Sequence, residues 1–167
     1  MLNISFLLGS LIGLYSLNIT AIDGTTIKMS QFQGKKILIV NTASNSIYVN
    51  QYASLEQLYE KYKDSLVIIA CPSNDFKNET GSSVSIQNLV TTKYNIHYIL
   101  TSKQVVTGKN ISPLYKWLSQ SSQNGTMDGP VIGDFCKYLI DNKGDIIGVF
   151  SDLVDPMDPV IQNAIVN

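Results

Sequence analysis

Two thiols, one imidazole and a serine between an apolar run and a helical pattern are the chemically capable side chains of this chain. Cys71 and Cys136 lie far apart and form no CxxC pair, and two cysteines are too few for a disulfide framework. They are expected as buried core thiols, with one bridge between them left open. Ser46 closes the stretch Asn41-Thr42-Ala43-Ser44-Asn45-Ser46, which follows Ile37-Leu38-Ile39-Val40. A hydrolytic serine needs a base, and His97 is the only histidine. No G-x-S-x-G elbow surrounds Ser46, so hydrolase chemistry is not expected and His97 is read as an exposed or half-buried side chain. The chain has no arginine, which excludes phosphate recognition by a bidentate guanidinium. Its 12 lysines are scattered, so no basic stripe points to nucleic acid.

The elements that must position these groups follow from periodicity. Residues 14–28 read as a hairpin with its turn at Asp23-Gly24. Ile37 to Asn41 is a short continuous apolar run, as expected of a strand buried on both faces. Tyr52, Leu55, Leu58, Tyr59 and Tyr62 recur at helical spacing within residues 50–62. Residues 66–71 form the next buried strand, stopped by Pro72. Strand, helix and strand in that order make a parallel βαβ unit. A second helix is expected over 84–93 and an irregular extended segment over 98–106. Ser112-Pro113 opens a helix to about Gln120, and the glycine-rich segment 121–133 is expected as loop. Residues 135–141 and 146–150 form a hairpin around Asn142-Lys143-Gly144. Asp155-Pro156 starts a last helix to about Val166. The sum is an α/β chain, a thioredoxin-like three-layer sandwich. Its central mixed sheet is flanked by helices and preceded by an N-terminal hairpin.

Several segments together resemble the glutathione peroxidase family. Asn41 to Ser46 is similar to its N-(V/T)-A-S-K-(C/U) turn, and Gly34 to Asn41 to the strand before it. Gln51-Tyr52, Leu55 and Leu58 to Tyr62 resemble its Y-x-x-L-x-x-LY-x-KY helix. Cys71 to Phe76, with Glu79 and Gly81, resembles FP(C/A)NQF-x-x-QEPG. Tyr94-Asn95-Ile96, Pro113 to Leu118 and Phe135 to Asp141 match YGV, HPLYKWL and the end of WNF-x-KFLID. The segments are collinear and span about residues 14–149.

The resemblance implies a family activity, thiol-dependent reduction of hydrogen peroxide and organic hydroperoxides in the response to oxidative stress. It also implies where that activity should sit. The family's catalytic Cys or Sec, Gln, Trp and Asn fall on Ser46, Asp75, Gly133 and Asp134. The glycine after the nucleophile becomes Ile47, and the resolving cysteine of thioredoxin-dependent members falls near Val90. Peroxide reduction needs an atom that becomes a sulfenic or selenenic acid, and a serine hydroxyl has no such oxidation ladder. Asp75 and Asp134, when ionised, accept hydrogen bonds only, where the family has neutral N–H donors. The reading is therefore a pseudoenzyme that retains the family frame. The alternative is an active thiol peroxidase with a relocated cysteine. Cys136 is the candidate, because residues 134 and 136 of a strand share a face. Convergence of Ser46, Asp75 and Asp134 would offer only a thin oxygen shell to a hard cation, so no metal and no cofactor is expected.

At 167 residues with balanced charge of −1, the chain is expected to form one domain, residues 14–167. Residues 1–13 hold an apolar run too short to span a bilayer. They read as an imperfect signal or anchor, hence export to a periplasmic or secreted location. Otherwise they are an apolar extension of a cytoplasmic protein. Peroxide and a thiol reductant are the partners the resemblance implies, with no nucleic acid and no membrane span. A short segment from Lys109 to Ser112, as in monomeric family members, implies a monomer.

Overall fold

A computed structural model describes residues 13–167. Residues 1–12, which carry the expected signal or anchor, lie outside the described residues. Strands β1 (Asn18–Thr20) and β2 (Thr26–Lys28) form a two-stranded antiparallel ribbon. Its turn is held by Asp23, whose carboxylate accepts from the Thr25 N–H at 2.9 Å. Residues Leu14–Ser16 form a 3-10 turn, so the hairpin starts later than the sequence pattern suggested.

The main sheet contains β3 (Lys36–Thr42), β4 (Leu66–Pro72), β5 (Ile99–Leu100), β6 (Lys137–Ile140) and β7 (Ile146–Phe150). Their spatial order is β5-β4-β3-β6-β7. β3 and β4 are parallel, from Lys36 opposite Leu66 to Thr42 opposite Pro72, and α1 (Gln51–Tyr62) is the crossover. β5 is parallel to β4, whereas β6 and β7 add antiparallel on the other side. The mixed sheet expected from the sequence is therefore present, with β3 at its centre.

Both faces of β3 are apolar because both are covered. Ile37 and Ile39 face a core shared with Ile69, Tyr138, Ile140 and Trp117, under α3 (Pro113–Ser119) and the N-terminal ribbon. Leu38 and Val40 face the opposite core. There they meet Tyr52, Leu55 and Leu58 of α1, Ile86 and Val90 of α2 (Ser83–Tyr94), and Ile161 and Ile165 of α5 (Pro159–Val166). Successive strand residues point to opposite faces, which makes helix, sheet and helix the three layers.

Local chemistry moved several boundaries. Residues 121–133 are not all loop, because Ser121–Asn124 forms a helical turn, α4, closed by Gly125 at φ 73°. The last helix begins at Pro159 rather than after Asp155-Pro156. Both aspartates accept a backbone N–H two residues on, Asp155 from Met157 and Asp158 from Val160, each at 2.8 Å. Only the second is followed by a continuous helix. β6 starts at Lys137, two residues late, because Phe135 has φ 59° and cannot continue a strand.

Candidate functional site

β3 ends at Thr42, and the chain then turns tightly into α1. The Ser46 N–H donates to the Ala43 carbonyl at 3.3 Å, and the Val49 N–H to the Ser46 carbonyl at 3.1 Å. Ser46 Oγ accepts the Tyr48 N–H at 3.2 Å. The side chain is buried, whereas Ile47 beside it is 87% exposed. Ser46 thus sits in the mouth of the turn, its oxygen already engaged by backbone.

The turn is clamped by a fully buried carboxylate. Glu79 Oε2 accepts both the Ser44 N–H and the Ser44 hydroxyl, each at 2.7 Å. Glu79 Oε1 accepts from Gly81 N–H at 3.3 Å, and the Glu79 N–H donates to Asn74 Oδ1 at 3.1 Å. A Cβ on Gly81 would lie 2.8 Å from Ser85 Oγ and 3.2 Å from Glu79 Oε1, so a side chain there would disturb the clamp. Next to it, the Asn45 N–H donates to the Asn78 carbonyl at 2.9 Å.

Asn78 carries the connection to the next strand. Its amide donates to Asp134 Oδ2 at 2.7 Å. Asp134 is buried, and its second oxygen, Oδ1, has no hydrogen-bond partner. Asn41, near the end of β3, fixes the same segment: its amide donates to the Gly133 carbonyl at 2.7 Å, and its carbonyl accepts the Phe135 N–H at 2.6 Å. Tyr52 lies underneath. Burial first, and then the neighbouring Glu79 and Asp134 carboxylates, pushes its hydroxyl far above the ordinary tyrosine value.

Asn41 thus ties Gly133, and Asn78 ties Asp134, to the segments that flank Ser46, whose own hydroxyl bonds the Tyr48 N–H. Asp75 bonds a different segment: its Oδ2 accepts the Val106 N–H at 2.7 Å, the Thr107 N–H at 2.9 Å and the Thr107 hydroxyl at 3.3 Å. It braces the loop after β5 and makes no hydrogen bond to Ser46 or Asp134.

Asp152 is a site neighbour that the sequence pattern did not reveal. A Cβ on Gly133 would lie 3.6 Å from Asp152 Oδ2. The Asp152 carbonyl accepts from Gln51 Nε2 at 2.6 Å. Burial, and then the Asp152 charge, raises the pKa of Tyr48. The space beside Gly133 thus faces a carboxylate. Asp152 follows β7 in a loop without periodicity, so no pattern flagged it. Glu79 did stand in a recognisable motif, but nothing in that motif gave it a role.

Both thiols are buried. Burial pushes Cys71 up to about 12. Cys136 is buried too, and burial raises its pKa above the ordinary thiol value, against backbone hydrogen bonds from Ile132 and Gly133. In both, burial favours the protonated thiol over the thiolate. The face shared by residues 134 and 136 does not exist, because the left-handed Phe135 interrupts the alternation between them. Asn41 pairs with Cys71 on one side and donates its N–H to the Cys136 carbonyl on the other. Strands are about 4.8 Å apart, so the cysteine backbones are roughly 10 Å apart, beyond the reach of a disulfide. Both are free. His97 bonds Glu56 and makes no hydrogen bond to Ser46, which agrees with its reading as a half-exposed side chain.

Residues 14–119 match the family profile described as Glutathione peroxidase. The chain belongs to the glutathione peroxidase family. A glutathione peroxidase of Lactococcus lactis subsp. cremoris is 34% identical over 144 residues, 85% of this chain and 91% of its own. A hydroperoxy fatty acid reductase of Synechocystis sp. is 32% identical over 152 residues, 86% of this chain and 89% of its own. The solved structure of Trgpx in apo form has a TM-score of 0.72 at 27% identity, covering 94% of this chain and 95% of its own. A thioredoxin-family thiol:disulfide interchange protein from Chlorobium tepidum TLS has a TM-score of 0.66 at 14% identity, over 92% of this chain and 96% of its own. That last likeness bears on the fold alone, which is thioredoxin-like. Among the described residues no helix is long and apolar enough to cross a membrane.

Proposed function

We propose that this glutathione peroxidase-family protein is a pseudoenzyme at the family site and acts as a binding module. One observation carries the reading. The turn at the end of β3 is built and clamped, yet the side chain in its mouth is the hydroxyl of Ser46, already accepting the Tyr48 N–H. Ser46 takes the place of the peroxide-attacking Cys or Sec and has no sulfenic or selenenic state to enter. Asp75, Gly133 and Asp134 stand where the family has Gln, Trp and Asn. Gly133 supplies no indole donor, Asp134 supplies no N–H, and Asp75 is committed to the loop after β5. The burial and raised pKa of Cys136 weigh against its use as a relocated nucleophile.

The rim of the site supports a binding role. Ile47 beside Ser46, Ile132 beside Gly133 and Leu153 beside Asp152 are 87%, 71% and 78% exposed, the highest values among the large apolar side chains of the described residues. Exposed aliphatic side chains next to these positions offer apolar surface to a ligand.

The test is peroxide consumption by the purified chain with excess dithiothreitol, before and after iodoacetamide. The expected rate equals that of the buffer in both cases. Turnover that iodoacetamide abolishes would overturn the proposal and assign the chemistry to Cys136 or Cys71.

A further inference from the structure

Away from the Ser46 network, Glu56, Glu60 and His97 bring ligand atoms together. One carboxylate oxygen from each glutamate and one ring nitrogen of His97 all lie within 4.8 Å of one another. Among the described residues no other group of three or more His, Cys, Asp or Glu side chains does so. α1 supplies Glu56 and Glu60 at positions i and i+4, one turn apart on the same face. His97 arrives from the segment between α2 and β5. Its backbone N–H donates to Glu56 Oε2 at 2.8 Å, and its Nδ1 lies 2.5 Å from Glu56 Oε1. The carboxylate that presents one ligand therefore also fixes the segment that carries another.

We propose that Glu56, Glu60 and His97 form a binding site for a divalent transition metal of the zinc class. An imidazole nitrogen with two carboxylates suits zinc and its neighbours in the first transition row. Calcium and magnesium take all-oxygen shells, which His97 does not provide. Zinc bonds to nitrogen and oxygen are about 2.0–2.2 Å long, so the ligand atoms of a tetrahedral ion sit roughly 3.4 Å apart. Reaching that spacing requires the Nδ1–Oε1 contact to open slightly and Glu60 to swing inward.

Glu60 is free to make that movement. It now pairs with Lys63 at 2.7 Å, and about half of each side chain is in water, 50% and 48% respectively. Such a pair contributes little and gives way readily to a divalent ion. The His97 side chain is 54% exposed and borders a cleft of about 170 Å³ shared with Tyr59 and Lys63. Water has access to complete the coordination shell. Three protein ligands plus water is the arrangement of an open site rather than a closed structural one. The site is independent of the fate of Ser46, and it joins the second half of α1 to the start of β5.

The test is calorimetric titration of the full chain with zinc chloride in a buffer free of chelators, with the histidine ring followed by NMR. The chain has a single histidine, so the ring signals are unambiguous. The expected result is one equivalent of zinc bound with a dissociation constant below ~100 μM and a shift of the His97 ring signals. His97→Gln and Glu60→Gln should each weaken binding at least about tenfold. Among the described residues the Glu60 carboxylate hydrogen-bonds only the exposed Lys63, so Glu60→Gln tests the site even if His97→Gln fails to fold. Absence of saturable binding up to millimolar zinc overturns the proposal. So does binding that leaves the ring signals unmoved or survives Glu60→Gln unchanged, since the ion would then sit elsewhere, as on Cys71 or Cys136.

Discussion

Asp134 faces the Ser46 turn with a carboxylate where a thiolate would need a donor, and this decides what repairing Ser46 can achieve. Ser46→Cys places a thiol in the turn but leaves a negative charge tied to the same turn through Asn78. A neighbouring negative charge raises a thiol pKa. The single variant is expected to reduce peroxide no faster than the parent. Adding Asp134→Asn should lower the pKa of the new thiol by about one unit, read from the pH dependence of its iodoacetamide reaction. Identical alkylation profiles for the single and double variants would show that Asp134 does not sense position 46. Glu79 sets stability at the same scale. Glu79→Ala removes the acceptor of three donors in a buried place and is expected to cost about 2–4 kcal/mol in urea unfolding. Ser44→Ala, which leaves the backbone bond in place, should cost about 1 kcal/mol. The site was only partly legible in the sequence. Ser46, Asp75, Gly133 and Asp134 were singled out because they align with motifs. A motif states which position a residue holds and not which donors lie nearest to it, so the bonds from Val106 and Thr107 to Asp75 were not legible. Asp152 was missed because it belongs to no motif and matters only through the space left beside Gly133.

Elements were read well where periodicity ruled and less well where a single residue's backbone did. β3, β4 and α1 match their expected spans to within about a residue, since runs of buried aliphatics and a tyrosine–leucine stripe leave few other folds for the chain. β6 began late because Phe135 adopts a left-handed conformation, which an aromatic residue gives little reason to expect. It is held there by the bond from its N–H to Asn41 and by the packing of its ring edge-on against Tyr52, with centroids 5.3 Å apart. α5 shows how two equal local signals separate. Asp155-Pro156 and Asp158-Pro159 carry the same start signature, and only the second has the buried pair Ile161 and Ile165 at helical spacing behind it. Asp158 is thus the working cap, and Asp158→Ala is expected to lower stability by about 1 kcal/mol, measured by thermal or urea unfolding. A change of less than ~0.3 kcal/mol would mean that packing of α5 alone fixes its start.

Across the whole molecule the buried titratable groups compete, and their sum shapes stability against pH. Lys137 is fully buried, its ammonium donating to the Phe135 carbonyl at 2.7 Å and the Ser151 carbonyl at 3.2 Å. Burial pushes its pKa down from 10.5 to about 8. Between those values the unfolded chain holds a proton that the folded chain has released, so stability rises with pH. The gain from Lys137 is roughly 1.4 kcal/mol for each pH unit crossed. Cys71 acts in the opposite sense: its pKa rises from 9.0 to about 12, so above pH 9 the unfolded chain loses a proton that the folded chain keeps. Tyr138, raised from 10.0 to about 12, adds to that loss above pH 10. The three together place maximum stability near pH 9, above the neutral range. Lys137→Met removes the rising limb while leaving the falling one. Urea unfolding from pH 7 to 10.5 is therefore expected to show the parent gaining stability between pH 8 and 9 while the variant does not. The gap between the two curves should keep changing in the parent's favour up to about pH 10.5. Parallel curves over that window would mean that the Lys137 ammonium keeps its proton in the folded chain, held by its two carbonyls despite burial.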